Sequence, residues 1–433
     1  MLMVMSKRPR KGGKNGCSCS MPGVWRAAAY NEGAAVIFHS PKACGHVTHD
    51  MDLSMHYRAL ARQQFQPNLY TAPLISSNLE EQHSIFGGTD QLRACIEYVA
   101  QTYKPLYILI ANSCVAGVIG DDTEAVASQV ERELGLPILV VASHGFLDGD
   151  YYSGFYYASK ALAERFIVPM DTEKHTVTLL GDHGGPDGAD AREMKQLLRF
   201  FGLQVRRKFP VYANLADIKQ IASSELCILL GGTRQSFPKL RQLAGDLNRQ
   251  VGVPFFDSDY PVGLAGTRIW LTKLGAFLQK EVEAAAAIKD QEKRLDDHIT
   301  FYRQKMKNKR CVLCIGRPLS YFQPDWILEL FSLTETGPEG IILLDGLTGG
   351  QSDEMQQEVA AVTKAPVYRQ QEGNDLLAAA DLILTTHEMA DWSKRQVFLP
   401  LLPPVGVTGI INVMHKMVRL AERYGTRGGI MYV

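Results

Sequence analysis

Residues 105–114 read Pro105-Leu106-Tyr107-Ile108-Leu109-Ile110-Ala111-Asn112-Ser113-Cys114. A short, unbroken apolar run between Pro and Asn-Ser predicts a strand buried on both faces, as in a parallel sheet covered by helices. Next come Val115-Ala116-Gly117-Val118-Ile119-Gly120-Asp121-Asp122 and a helical pattern from about 122 to 134. The run Pro137-Ile138-Leu139-Val140-Val141-Ala142 predicts the following strand. Strand, helix, strand at this spacing is an α/β signature. Cys114 then stands at the carboxyl end of a strand, where open parallel sheets place their ligands. Asp121 and Asp122 stand where they can cap the next helix. Gly117 and Gly120 let the chain turn close to a bulky group. Taken alone, a buried structural thiol is the simpler account of Cys114.

Upstream, Gly33–Ser40 predicts another buried strand entering a loop that holds Cys44, followed by His46, His49 and His56. Cys19 precedes the turn Pro22-Gly23 and a short helix, and Cys17, two residues earlier in the tail, is an alternative to it. The spacings of 25 and 70 residues between Cys19, Cys44 and Cys114 are too wide for a zinc knuckle or a local ferredoxin loop. Thiols so far apart converge only if each borders a different strand of one domain. The α/β pattern restarts twice. Strands are expected at 175–180, 225–230 and 254–256, with one long helix from about 267 to 309. Further strands are expected at 310–316, 340–344, 366–368 and 381–385. The organisation expected is a tail at 1–16, a cysteine-bearing α/β domain at 17–170, a second at 171–305 ending in a long helix, and a third at 306–433.

A chain of 433 residues suits two or three domains. Lys+Arg 46 against Asp+Glu 46 leaves no basic excess, which disfavours nucleic acid as a partner. The basic run Lys7–Lys14 reads as a solvated tail. No stretch is long and apolar enough to predict a membrane span, and no apolar segment follows the basic N-terminus as in a signal peptide. Eight cysteines are too few for a disulfide scaffold and suit a reducing cytoplasm, with thiols free or metal-bound.

The remaining motifs are weaker. Cys95 falls in a helix and Cys227 in a strand, and both read as core. Cys311 and Cys314 form C-x-x-C inside a strand, where residues three apart point to opposite faces. His46, His49 and His56 lack the H-E-x-x-H form of zinc hydrolases. There is no Walker loop and no G-x-G-x-x-G, so neither ATP nor a dinucleotide is expected to bind through those loops.

Four segments resemble the component 1 proteins of the nitrogenase superfamily: CSMPGVWRAA (19–28), FHSPKACGH (38–46), SSNLEEQHSIFGG (76–88) and NSCVAGVIGDD (112–122). GVPFF at 252–256 and GVTGIINVMHKMVRLAE at 406–422 extend the likeness thinly across the chain. The resemblance implies an α/β fold of three Rossmann-like domains with mainly parallel sheets. It implies that Cys19, Cys44 and Cys114 bind an iron–sulfur cluster at a subunit junction, as an [8Fe-7S] P-cluster if the partner brings its own trio or as a [4Fe-4S] cubane otherwise. It further implies an α2β2 heterotetramer and a separate ATP-hydrolysing [4Fe-4S] reductase as electron donor.

In this family the subunit that carries a catalytic metallocluster uses a cysteine in its middle domain. The matching region here, GGTRQSFPK around Ser236, has none, and no cluster-binding histidine stands near Pro403–Gly409. A β-type subunit is therefore expected, with no catalytic residue of its own and with any second metallocluster mainly in an α-type homologous partner. His387 is the remaining ligand candidate in the third domain. The complete trio and short length favour the branch that reduces methylthio-alkanes by C–S cleavage. A scaffold for metallocluster assembly and a tetrapyrrole reductase are the alternatives.

Overall fold

Every residue of Tyr107–Asn112 is buried, as its unbroken apolar run requires. In the computed structural model, which describes residues 19–61, 70–181, 188–231, 233–344, 352–391, 393–400, 405–424 and 428–432, it is a central strand of a parallel sheet. That sheet contains β1 (Ala34–His39), β2 (Leu74–Ser76), β3 (Tyr107–Asn112) and β4 (Ile138–His144), ordered β2-β1-β3-β4. A second contains β5 (Glu173–Gly181), β6 (Gln204–Pro210), β7 (Ser224–Leu229) and β8 (Phe255–Phe256), ordered β6-β5-β7-β8. The third contains β9 (Cys311–Ile315), β10 (Pro338–Leu343), β11 (Val367–Arg369), β12 (Leu382–Thr385), β13 (Arg395–Phe398) and β14 (Gly429–Tyr432), ordered β11-β10-β9-β12-β13-β14. Every strand pairing is parallel, and helices flank the sheets, so the α/β class expected from the sequence is the one observed.

The described residues form two compact units. The first takes those of 16–261 with 268–288 and holds the first two sheets; the second takes 262–267 and those from 289 onward. Strand alternation assigns the cores. On β1, Val36 and Phe38 join an apolar cluster that runs on to Leu180, Phe209 and Leu243 of the second sheet's layer. Ala35 and Ile37 face the other way, onto Leu92, Ile96 and Val130. In the second unit Cys311 and Cys314 belong to different clusters on opposite faces of β9, and both are fully buried. This geometry makes that C-x-x-C a pair of core thiols. Among the described residues no helix is long and apolar enough to cross a membrane.

Two local expectations change. Cys44 lies not in a loop but in the first turn of a helix, Lys42–Ala61, that starts almost directly after β1. The single long helix expected over 267–309 is two helices, Gly263–Leu278 and Glu281–Met306. The break falls at Gln279, whose φ of 57° cannot continue a right-handed helix. Gly275 permits the sharp return, since a Cβ there would lie 2.6 Å from the Ala284 Cβ.

Candidate functional site

The strand order β2-β1-β3-β4 reverses direction between β1 and β3, and the crevice at the carboxyl ends of those strands is the ligand position of such sheets. Both flanking connections carry a thiol. Cys44 follows β1, and Cys114 follows β3 as the first residue of the helix Cys114–Ile119. Ser113 caps that helix, its Oγ accepting from the Ala116 amide at 3.2 Å. Gly120, at φ 80°, ends it.

Cys19 arrives from a different direction. It precedes the helix Met21–Ala28, which packs against the helix Tyr151–Phe166 that follows β4. Ser20 Oγ donates to the Gly145 carbonyl at 2.9 Å and accepts from Ser143 Oγ at 2.5 Å. Gly145 also backs onto Cys114: a Cβ there would lie 2.9 Å from the Cys114 nitrogen. The end of β4 thus holds the Cys19 and Cys114 segments side by side.

All three thiols are free and half-buried. Burial pushes Cys19 up to about 11, the Met21 backbone opposes it, and charge on Cys44 and Cys114 adds to the rise. Burial also raises Cys44, opposed by a hydrogen bond from Ser40 and reinforced by Cys114. Cys19 and Cys44 therefore each lie close enough to a neighbouring thiol to feel its charge. Among the described residues, however, no three His, Cys, Asp or Glu side chains gather closely enough to hold one metal ion.

The other thiols are walled into apolar surroundings. Cys95, Cys227, Cys311 and Cys314 are all buried, and burial raises Cys95 to about 11 and the rest to about 12, from 9.0. This has a consequence for the metal-free chain. The unfolded state releases its thiol protons near pH 9, while the folded state keeps them, so the folded state binds more protons above that pH. Stability is then constant with respect to these groups below pH 9 and falls between about 9 and 12. Urea midpoints at pH 8, 9.5 and 10.5 are expected to decrease in that order. Equal midpoints would contradict the shifts.

His46 and His49 are exposed on the helix after Cys44, and the side chain of His56 and all of Cys17 lie outside the described residues. His387 is exposed just beyond β12. Its amide and carbonyl both pair with Thr385 Oγ1. Ser236 follows β7 at the start of the helix Phe237–Val251 and accepts from the Thr233 amide at 2.6 Å.

Two features escaped the sequence reading. The third sheet also switches direction, between β9 and β12, and Gly316, Arg317 and Thr386 meet there. Thr386 Oγ1 accepts from the Gly316 amide at 2.8 Å, and its carbonyl accepts from Arg317 Nε at 3.3 Å. The signal available was a Gly-Arg pair directly after a buried strand. The second is a buried hydrogen-bonded pair, His39 Nε2 to Asp121 Oδ2 at 2.8 Å, in which burial holds the His39 pKa below its usual value. Asp121 is not the helix cap. Asp122 caps, accepting from the Ala125 amide at 3.0 Å.

The pattern named nitrogenase component 1 type oxidoreductase matches residues 19–420, nearly the whole chain. The chain belongs to that family. It is 25% identical over 284 residues to the nitrogenase iron-molybdenum cofactor biosynthesis protein NifE of Clostridium pasteurianum, covering 65% of this chain and 58% of that one. It is 24% identical over 325 residues to the nitrogenase molybdenum-iron protein alpha chain of Methanosarcina barkeri, covering 72% and 59%. The chain therefore spans under two thirds of the length of these relatives. A solved nitrogenase structure, Cp1 at pH 6.5, shares the fold with a TM-score of 0.63 over 94% of this chain and 88% of the other, at 15% identity.

These likenesses correct the subunit type. The relatives found are alpha chains and NifE proteins, so the likeness is to α-type proteins and not to the β-type subunit expected above. The β-type expectation rested on two absent ligands, a thiol around Ser236 and a histidine near Pro403–Gly409. Two positions weigh less than matches running over some 250 to 325 residues. With it goes the expectation that this chain is the β subunit of a methylthio-alkane reductase.

Proposed function

We propose that this chain is the α-type subunit of a nitrogenase-like reductase and that Cys19, Cys44 and Cys114 hold one side of an iron–sulfur cluster at the junction with a homologous partner. The observation that carries the reading is the placement of the thiols. They gather at the carboxyl end of one sheet, yet do not converge on a single point. One ion needs ligands about 2.3 Å away on all sides. A cluster takes its thiolates one per iron and so spreads them out. Small residues leave room: a Cβ on Gly45 would meet nothing within 4 Å.

When bound, such a cluster supplies reversible electron transfer. The chain's own residues do the rest. Ser40 beside Cys44 and the Met21 backbone beside Cys19 offset part of the rise that burial imposes on both thiols. Half-exposed thiols also call for a partner to exclude water. If that partner brings its own trio, the cluster is a double cubane of the [8Fe-7S] kind; with one further thiolate it is a [4Fe-4S] cubane. Electrons are proposed to come from a separate ATP-hydrolysing reductase.

Ile85, Phe86 and Val118, exposed by 77%, 86% and 78%, form an apolar ridge where the helices His83–Phe86 and Cys114–Ile119 meet. A protein partner is proposed to cover it. Phe86→Asp is expected to weaken association roughly tenfold, since a buried aromatic anchor is worth that or more at an interface. Affinity measured by interferometry between the purified chain complex and its reductase checks this, and unchanged affinity contradicts it.

A second reading is a scaffold for metallocluster assembly. It is favoured by the absence of a thiol around Ser236 and supported by the likeness to a NifE protein. Anaerobic purification of the native complex separates the two. A reductase turns over with reductant and ATP, with methylthio-alkanes the first substrate class to try and tetrapyrroles the second. A scaffold instead transfers a metallocluster to a metal-free recipient. A colourless, iron-free complex would sink both.

A further inference from the structure

We propose that the buried His39–Asp121 pair is a clasp that sets Cys44 and Cys114 in register before any cluster binds, so that both residues are positioning residues for the site; this rests on the reading of those thiols as ligands.

The pair joins the two thiol connections. His39 is the last residue of β1, five before Cys44, and Asp121 lies seven beyond Cys114, past the end of its helix. The two side chains are 0% and 3% exposed. Their hydrogen bonds have a direction. The Ser40 amide donates to Ser77 Oγ at 3.3 Å, so the Ser77 hydroxyl proton is free to donate to His39 Nδ1 at 2.9 Å. That leaves the His39 Nε2 proton for Asp121 Oδ2. The other oxygen, Asp121 Oδ1, accepts from the Gly88 amide at 2.9 Å. Ser40, bonded to Ser77 through its amide, is also the residue whose side chain hydrogen-bonds Cys44.

Four segments are thus tied at one point: the ends of β1 and β2, the turn at Gly87-Gly88, and the turn after the Cys114 helix. The fit is close. A Cβ on Gly88 would lie 2.8 Å from Asp121 Oδ2 and 3.1 Å from His39 Cε1. Burying a polar pair is a poor way to add stability, because desolvation cancels much of what its hydrogen bond gains. Fixing a unique geometry is what such a pair does well when every polar atom is satisfied. Cys19 stands outside the clasp. It is held through Ser20, Ser143 and Gly145 instead.

That asymmetry supplies the test. In the metal-free full chain, iodoacetamide labelling rates are measured at each cysteine by peptide mass spectrometry. With Asp121→Ala, Cys44 and Cys114 are expected to label roughly tenfold faster, the local opening that follows loss of a charged hydrogen-bond partner. Cys19, and the buried Cys95 and Cys227, should keep their rates. Asp121→Asn still accepts from Gly88 and can pair with the other His39 tautomer, so it should restore most of the protection.

If all cysteines speed up alike in Asp121→Ala, or if none does, the clasp is overturned. If Asp121→Ala does not fold, Ser77→Ala replaces it. It removes the donor to Nδ1 together with the acceptor of the Ser40 amide, leaves both Asp121 bonds in place, and should give the same pattern with a smaller increase; wild-type rates at Cys44 and Cys114 in Ser77→Ala would overturn the clasp. In the iron-loaded complex, a paramagnetic signal altered in Asp121→Ala and restored in Asp121→Asn supports it independently. An iron-free wild-type complex would fail the cluster reading while the labelling pattern still supports the clasp.

Discussion

Gly154→Ala is expected to lower the melting temperature of this chain by about 10 °C and to release Cys19 from its place beside Cys114. A Cβ at Gly154 would lie 1.9 Å from the Ser20 carbonyl oxygen and 3.0 Å from its Cα. Across the same contact, a Cβ at Gly23 would lie 1.8 Å from the Tyr151 carbonyl oxygen. The helices Met21–Ala28 and Tyr151–Phe166 touch backbone to backbone at this crossing, and no side chain can swing away to make room. Overpacking of this kind costs about 3 kcal/mol or more, which for a unit of this size corresponds to roughly 10 °C. Separating the helices also strains the hydrogen bond from Ser20 to Gly145 that anchors Cys19. Calorimetry measures the first effect and Cys19 labelling the second. Gly23→Ala should match Gly154→Ala, and the double variant should lose little more, because both changes open the same contact. A wild-type melting temperature in either single variant would contradict the packing described.

Cys44→Ala or Cys114→Ala is expected to leave the purified complex with less than half of its iron and with weakened subunit association. Each thiolate is proposed to hold its own iron, so no neighbour substitutes for it. His46 and His49, the nearest alternative donors in sequence to Cys44, are exposed. Metal binding and assembly are coupled at a site of this kind, so loss of iron should appear as dissociation on gel filtration. Cys95→Ala is the control. That thiol sits in the helix Thr89–Tyr103, packed against Leu92 and Ile96, and its loss should leave iron and association as they were. Full iron content in Cys114→Ala would remove that residue from the ligand set.

Much of the architecture was legible because strand composition is a strong signal when both faces are buried. The run at 107–112 has no polar residue before Asn112 and could only be a covered strand. The opposite-facing burial of Cys311 and Cys314 followed from strand geometry alone. Boundaries were less legible. Only the pair Ser40-Pro41 marks the start of helix Lys42–Ala61, which lacks an acidic first turn. The break at Gln279 was hidden because the residues on both sides favour helix. In the site, Cys44 and Cys114 could be picked out by their places after strands and Cys19 by the turn that follows it, whereas the His39–Asp121 pair could not. It joins residues 82 apart, and only the register of β1 beside β3 brings them together. Subunit type was misread for a related reason. The thiol missing around position 236 and the histidine missing near 403–409 were weighed as though they described the whole chain.

The most direct measurement is a labelling footprint of the anaerobically purified complex before and after iron is removed with a chelator. Mass spectrometry of iodoacetamide-treated peptides reads every cysteine at once. Cys19, Cys44 and Cys114 should be protected together in the iron-loaded complex and become reactive together when the iron is lost, while Cys95, Cys227, Cys311 and Cys314 stay protected throughout. Labelling of any one of the three in the iron-loaded complex, or no change in any of them on iron removal, would contradict a shared cluster.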